Sequence, residues 1–116
     1  TLAMLLGEST IAGLLVPSEA HAVFATAWLW GAWAQPFNAL CFATDGLHWG
    51  TRDYRYLRNV MVLASAAGLL ALRAIDPSAP GALESVWLVT GGWILVRASF
   101  GMLRIWPGLG ASPFRA

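Results

Sequence analysis

From Ala20 to Thr44 the chain carries no ionisable side chain except His21 near the start and the thiol of Cys41. A helix needs about 20 mostly apolar residues to cross a hydrocarbon layer of roughly 30 Å at about 1.5 Å per residue. Pro17-Ser18-Glu19 in front of the stretch supplies a stop for whatever precedes it, an N-cap serine and an acidic first turn. Gly46 and Gly50 mark its expected end. The segment reads as a membrane-spanning helix over about residues 20–44.

The rest of the chain agrees with that reading. Of its 116 residues, 58% are hydrophobic and 11% charged, against roughly 45–50% and 25% in an ordinary soluble domain. Thirteen charged residues, seven basic and six acidic, cannot cover the surface that a chain of this length leaves in solvent. A typical soluble enzyme domain and a disordered tail are excluded. The net charge of +1 likewise excludes a basic nucleic-acid binder. Cys41 is a lone cysteine inside an apolar run, so it reads as a small buried hydrophobe. The expected class is an all-α integral membrane chain with membrane lipid as its surroundings.

Further spans are expected over about residues 56–74 and 83–106. Arg58 and Arg73 stand near the two ends of the first of these, and both can extend their aliphatic stems toward the interface. Asp76-Pro77-Ser78-Ala79-Pro80-Gly81 between the two spans cannot continue a helix. Residues 1–16 are apolar apart from Glu8 and read as the end of a truncated transmembrane helix with an interfacial turn from Ser9 to Val16. Thr1 to Leu6 carry no charged leader, so the chain is expected to be part of a longer one whose preceding helices are its partners. Arg52, Arg55, Arg58, Arg104 and Arg115 fall on one face, and Arg73 alone on the other. Arg-rich short loops stay inside, which predicts a multi-pass protein of the inner (plasma) membrane with a cytoplasmic C-terminus. Trp49 and Trp106 are then expected at the inner interface and Trp87 at the outer one. Gly91-Gly92 and Gly7…Gly13 are small enough for close helix approach, although such residues are common in membrane helices.

No phosphate loop, zinc spacing or nucleophile elbow is present, so neither catalysis nor a cofactor nor a metal is expected. His21 and His48 stand about 40 Å apart if they share one helix, and they read as interfacial polar residues. The better leads are polar groups at depth. Pro36, in Gln35-Pro36-x-Asn38, removes a donor and frees the carbonyl of Ala32. Amides beside a broken helix line polar midplane sites in transporters; equally, they can bond a neighbouring helix. Asp45 sits at the unfavourable end of its helix dipole, and Arg97 is costly at its depth unless partnered. Counting helix rise puts the two at about one level, which predicts an interhelical ion pair. The alternative for Arg97 is a lipid phosphate.

Gln35-Pro36-Phe37-Asn38-Ala39-Leu40, then Asp45-Gly46, then Gly50-Thr51-Arg52-Asp53 resembles the tenth-helix stretch of multidrug and toxic compound extrusion (MATE) transporters, most of all their DinF-like branch. Val86-Trp87, Arg97 and the terminal Gly110-x-x-Pro113-Phe114-Arg115 resemble the end of that branch. The resemblance covers about residues 17 to 115. It implies the last part of a twelve-helix, two-lobed antiporter that expels organic compounds against a proton or sodium gradient. Residues 17–116 would then be the three-helix end of the C-lobe. Gln35, Pro36 and Asn38 would shape its cavity, and Asp45 with Arg97 would lock its inner end. The position matching Asn38 is an aspartate in NorM-type members, where it takes part in cation coupling; here it is an amide. Two rival readings are a lipid or lipid-linked oligosaccharide flippase of related fold and a small non-transporting membrane subunit.

Overall fold

A computed structural model describes residues 1–114. Arg115, counted above toward the arginine-rich face and the terminal motif, lies outside the described residues. The described residues form four α-helices in sequence: α1 (Leu2–Leu15), α2 (His21–Gly50), α3 (Tyr54–Arg73) and α4 (Ala82–Ile105).

Each boundary has a local cause. α1 continues through Leu15 and does not give way to the turn expected from Ser9, because 9–15 holds no proline and only Gly13 costs a helix as much as about 1 kcal/mol. It stops at Val16, which is extended at φ −115° and ψ 128°, as the ring of Pro17 requires of the residue before it. One turn of 3₁₀ helix over Ser18–Ala20 leads into α2. That helix is 30 residues long and passes Gly46 to end at Gly50, about two turns beyond the expected stop at Thr44. A helical glycine costs about 1 kcal/mol against alanine, and the packing of His48 on α4 outweighs it. Thr51 closes the helix, its amide and hydroxyl both donating to Leu47 O at 3.0 Å. Arg52 then takes a left-handed conformation, φ 60°, which reverses the chain into α3. Between α3 and α4, Ser78 donates its amide and hydroxyl to Asp76 Oδ1 at 2.9 and 2.6 Å. Gly81, at φ 84°, starts α4.

The helices lie in a single layer in the order α1, α2, α4, α3. α1 runs antiparallel to α2, with Trp28 Nε1 donating to Met4 O at 2.7 Å and Thr1 Oγ1 to Ala32 O at 3.0 Å. α2 and α4 are parallel, since Cys41 meets Ile94 and His48 meets Gly101 at the same offset of 53 residues. α3 returns antiparallel on the other side of α4. The slab measures 55 × 33 × 18 Å with a radius of gyration of 17.3 Å. A compact domain of this length has a radius near 13 Å, and 18 Å is less than two helix diameters of about 10–12 Å. The core is correspondingly thin: Cys41, Ile94 and Ala98, with Ala34 and Trp93 packed against them. Both broad faces carry exposed large apolar side chains, among them Trp33, Phe42, Leu63 and Leu95. Such faces suit lipid or further helices far better than water.

Of the described helices, α4 is the one that is long and apolar enough to cross a membrane by itself; α1 is apolar but short. On this measure the expectation of three comparable spans is met by α4 alone. α2 falls short because Gln35, Pro36, Asn38 and several tryptophans dilute its middle. α3 falls short because Arg55, Arg58, Asn59 and Arg73 crowd its ends. The close approach of helices is not at Gly7, Gly13, Gly91 or Gly92, where an added Cβ would meet nothing within 4 Å. It is at Gly101, where a Cβ would stand 2.6 Å from Thr44 Oγ1.

Candidate functional site

The middle of α2 is built around the missing amide hydrogen of Pro36. The Ala32 carbonyl that this leaves free accepts the hydroxyl of Thr1 from α1 at 3.0 Å, and Ala32 is fully buried. Gln35 is exposed and turns back on its own helix, donating Nε2 to Gly31 O at 3.1 Å. Asn38 is half-buried, and its amide makes no hydrogen bond among the described residues. Of the two amides singled out from sequence, that of Asn38 is therefore wholly unbonded among the described residues, while Gln35 has one donor engaged and its oxygen free. Pro36 is exposed and lies about 100° round the helix from Gln35.

Two turns further on, Arg97 Nη2 donates to Asp45 Oδ2 at 2.5 Å, with 12% and 19% of the two side chains exposed. The guanidinium also lies over the ring of Trp93, 4.7 Å from its centroid, a contact that favours a cation out of water. Trp93 Nε1 donates to Ser65 Oγ of α3 at 3.4 Å, and Arg97 Nε is buried with no partner among the described residues. The pair sits at an offset of 52 residues. Because α2 and α4 are parallel, the same offset puts Asn38 level with Thr90, about 10 Å up the slab. Asn38, Thr90, Asp45 and Arg97 thus form one polar stripe along the α2–α4 seam, and α3 adds Ser65 beside Trp93. Between these groups the seam is apolar or self-satisfied. Cys41 Sγ donates to Ile94 O at 3.2 Å, and Thr44 Oγ1 bonds Leu40 O and Cys41 O of its own helix at 3.0 Å each.

A second polar cluster, which the sequence reading does not anticipate, closes the lower end. His48, expected at the interface, is instead completely buried, its Nε2 3.3 Å from Gly101 O and its Nδ1 3.6 Å from Asp53 Oδ2. Arg104 grips Asp53 with two bonds, Nε to Oδ2 at 2.7 Å and Nη2 to Oδ1 at 3.1 Å. It also donates Nη1 to Leu109 O at 2.5 Å and lies 4.6 Å over the ring of Tyr56. The Tyr56 hydroxyl donates to Phe100 O at 2.7 Å, and the ring of Phe114 meets His48 edge-on. A signal is available: Cys41, Thr44 and His48 recur at spacings of three and four, one buried face of α2. His21 is exposed, its ring bonding Val16 O at 3.0 Å.

Chemically the stripe offers an open amide, an indole face and one neutralised ion pair, while the Thr90 hydroxyl donates to Val86 O of its own helix at 2.9 Å and keeps only its oxygen to accept. It suits hydrogen bonding and stacking of a ligand. Among the described residues no group of three His, Cys, Asp or Glu is placed to hold a metal ion.

No family model matches the chain, and no solved structure matches it. Over 83 residues, 72% of its length, it is 30% identical to Protein DETOXIFICATION 42 of Arabidopsis thaliana. The chain spans about 16% of the length of that relative. The similarity supports a fragment of MATE type and does not favour the DinF-like branch.

Proposed function

We propose that this chain is the three-helix end of the C-lobe of a secondary transporter that expels organic compounds, with residues 1–16 belonging to the helix before it. The observation that carries the reading is the 30% identity with a detoxification protein. The polar stripe on an otherwise apolar slab supports it. In this reading α2, α3 and α4 all lie in the membrane, with the Arg52–Arg58 end inside the cell. α2 and α3 are less apolar than α4 because neighbouring helices of the same chain shield their polar groups. Asn38 and Thr90 face the cavity and bond the passing compound, Gln35 flanks them, and Pro36 sets the course of α2 above them. Asp45 and Arg97 hold the lower lobe together and leave no free charge there. The ordered motif from Gln35 to Asp53 supports the DinF-like branch. The amide at position 38 cannot release a proton or bind a cation as a carboxylate does, so the driving proton or sodium ion acts through residues elsewhere in the full protein.

The test is efflux from cells carrying the full-length protein with Asn38→Ala. Losing one hydrogen bond to the bound compound weakens its handling by about tenfold. Transport that is unchanged for every compound tried would make Asn38 a packing residue and remove the cavity assignment.

A further inference from the structure

An open cleft of about 500 Å³ lies at the arginine-rich end of the slab, lined by Trp49, Tyr54, Arg55, Arg58, Met61 and Val62. Its chemistry is graded along the helix axis. Arg55 and Arg58 are one turn apart on α3, and Met61 follows one turn deeper. Arg55 has no hydrogen-bond or ion-pair partner among the described residues. Arg58 donates Nε and Nη2 to its neighbour Asn59 Oδ1 at 3.2 and 3.0 Å, which steadies the group and leaves its other N–H donors free. The rings of Trp49 and Tyr54 pack edge-on, 5.1 Å between centroids, at the level of the arginines. The nearest carboxylates are spoken for, Asp53 by Arg104 and Asp45 by Arg97. The cleft therefore carries two uncompensated positive charges above an apolar floor.

We propose that this cleft holds an anionic phospholipid. Arg55 and Arg58 bind the phosphate, Trp49 and Tyr54 frame the headgroup beside it, and an acyl chain runs down over Met61 and Val62. Each part matches a layer of a membrane leaflet: basic side chains and amphipathic aromatics together at the phosphate and headgroup level, aliphatic groups below. A further helix of protein seated there would bury two guanidinium groups lacking a carboxylate, a cost that a lipid phosphate removes. The proposal rests on the membrane reading above, and the site lies apart from the Asn38–Thr90 stripe.

The experiment uses the full-length protein in bilayer discs containing phosphatidylcholine with a minor share of phosphatidylglycerol, either lipid bearing a photoreactive acyl chain. Labelled positions are mapped by mass spectrometry. Photoreactive phosphatidylglycerol is expected to label Met61 and Val62, with roughly 30-fold preference over phosphatidylcholine for two arginines near the surface. Arg55→Gln with Arg58→Gln abolishes the preference, and the double lysine variant keeps most of it. Equal labelling by both lipids, or labelling indifferent to the glutamine changes, overturns the site. So does cross-linking of a photoreactive residue placed at position 62 to another segment of the same chain. Membrane fractions washed with alkali keep the two readings apart. Protein released by the wash sinks the membrane reading itself, whereas retained protein without lipid preference sinks the cleft alone.

Discussion

Gly101 is the point at which α2 and α4 come closest, and replacing it with alanine is the sharpest test of the helix register. The new Cβ would stand 2.6 Å from Thr44 Oγ1 and 3.0 Å from Thr44 Cβ. Comfortable contact between such atoms begins near roughly 3.5 Å, so the methyl intrudes by about 1 Å. Thr44 cannot swing aside cheaply, because its hydroxyl is held to Leu40 O and Cys41 O at 3.0 Å and it is 2% exposed. The helices must therefore part. Overpacking of this kind costs about 1–3 kcal/mol. Separation also stretches the 3.3 Å contact of His48 with Gly101 O, which adds about 1 kcal/mol when a buried polar group loses its bond. The expected loss for Gly101→Ala is about 3 kcal/mol. Thr44→Gly in the same protein removes both offending atoms and returns most of it, so the two changes couple by about 2 kcal/mol. Reversible unfolding in mixed micelles, followed by tryptophan fluorescence on the four variants of the cycle, reads these values. Gly101→Ala as stable as the parent, or costs that simply add, would refute the parallel packing of α2 on α4.

Three further outcomes follow from named contacts. Asp45→Ala and Arg97→Ala should each destabilise by about 3 kcal/mol, the low end for breaking a buried pair because some of each side chain stays open; exchanging the two residues should recover part of the loss in the same assay. Thr1→Val should cost about 1–2 kcal/mol by stranding the Ala32 carbonyl, and Pro36→Ala, which restores an amide donor from within α2, should make the Thr1 change nearly silent. Bonds from the Ser78 hydroxyl and amide hold the Asp76 carboxyl below its ordinary value of 3.8. A lowered folded value means that this turn gains stability above the unfolded value and loses it as pH falls through the folded one. Ser78→Ala should move the Asp76 titration back up toward 3.8 in a carbon-detected NMR titration.

Some of this is legible from residues alone. The cost of Pro36 to Ala32 follows from backbone chemistry, but its remedy comes from Thr1 on the preceding helix, and no local rule names that partner. The levels of Asp45 and Arg97 can be counted from helix rise, and their side chains meet at 2.5 Å. Gly46 misleads about the boundary of α2, since a helical glycine ends a helix only where tertiary packing does not continue it. His48 reads as interfacial from its position near a helix end, although its spacing from Cys41 and Thr44 already puts it on the buried face. Asp53 and Arg104, distant along the chain, show no pattern in the sequence. Their pairing depends on how α3 and α4 close on the turn after α2.

Arg104 links three stretches of chain through one side chain: the Asp53 corner, the foot of α4, and the backbone at Leu109. Anything fused behind Phe114 would therefore tug on the corner where α2 hands over to α3, through the Arg104 guanidinium and through the Phe114 ring on His48. The loop of Asp76 to Pro80 has no such tether, which makes it the safer place for a reporter or an affinity handle.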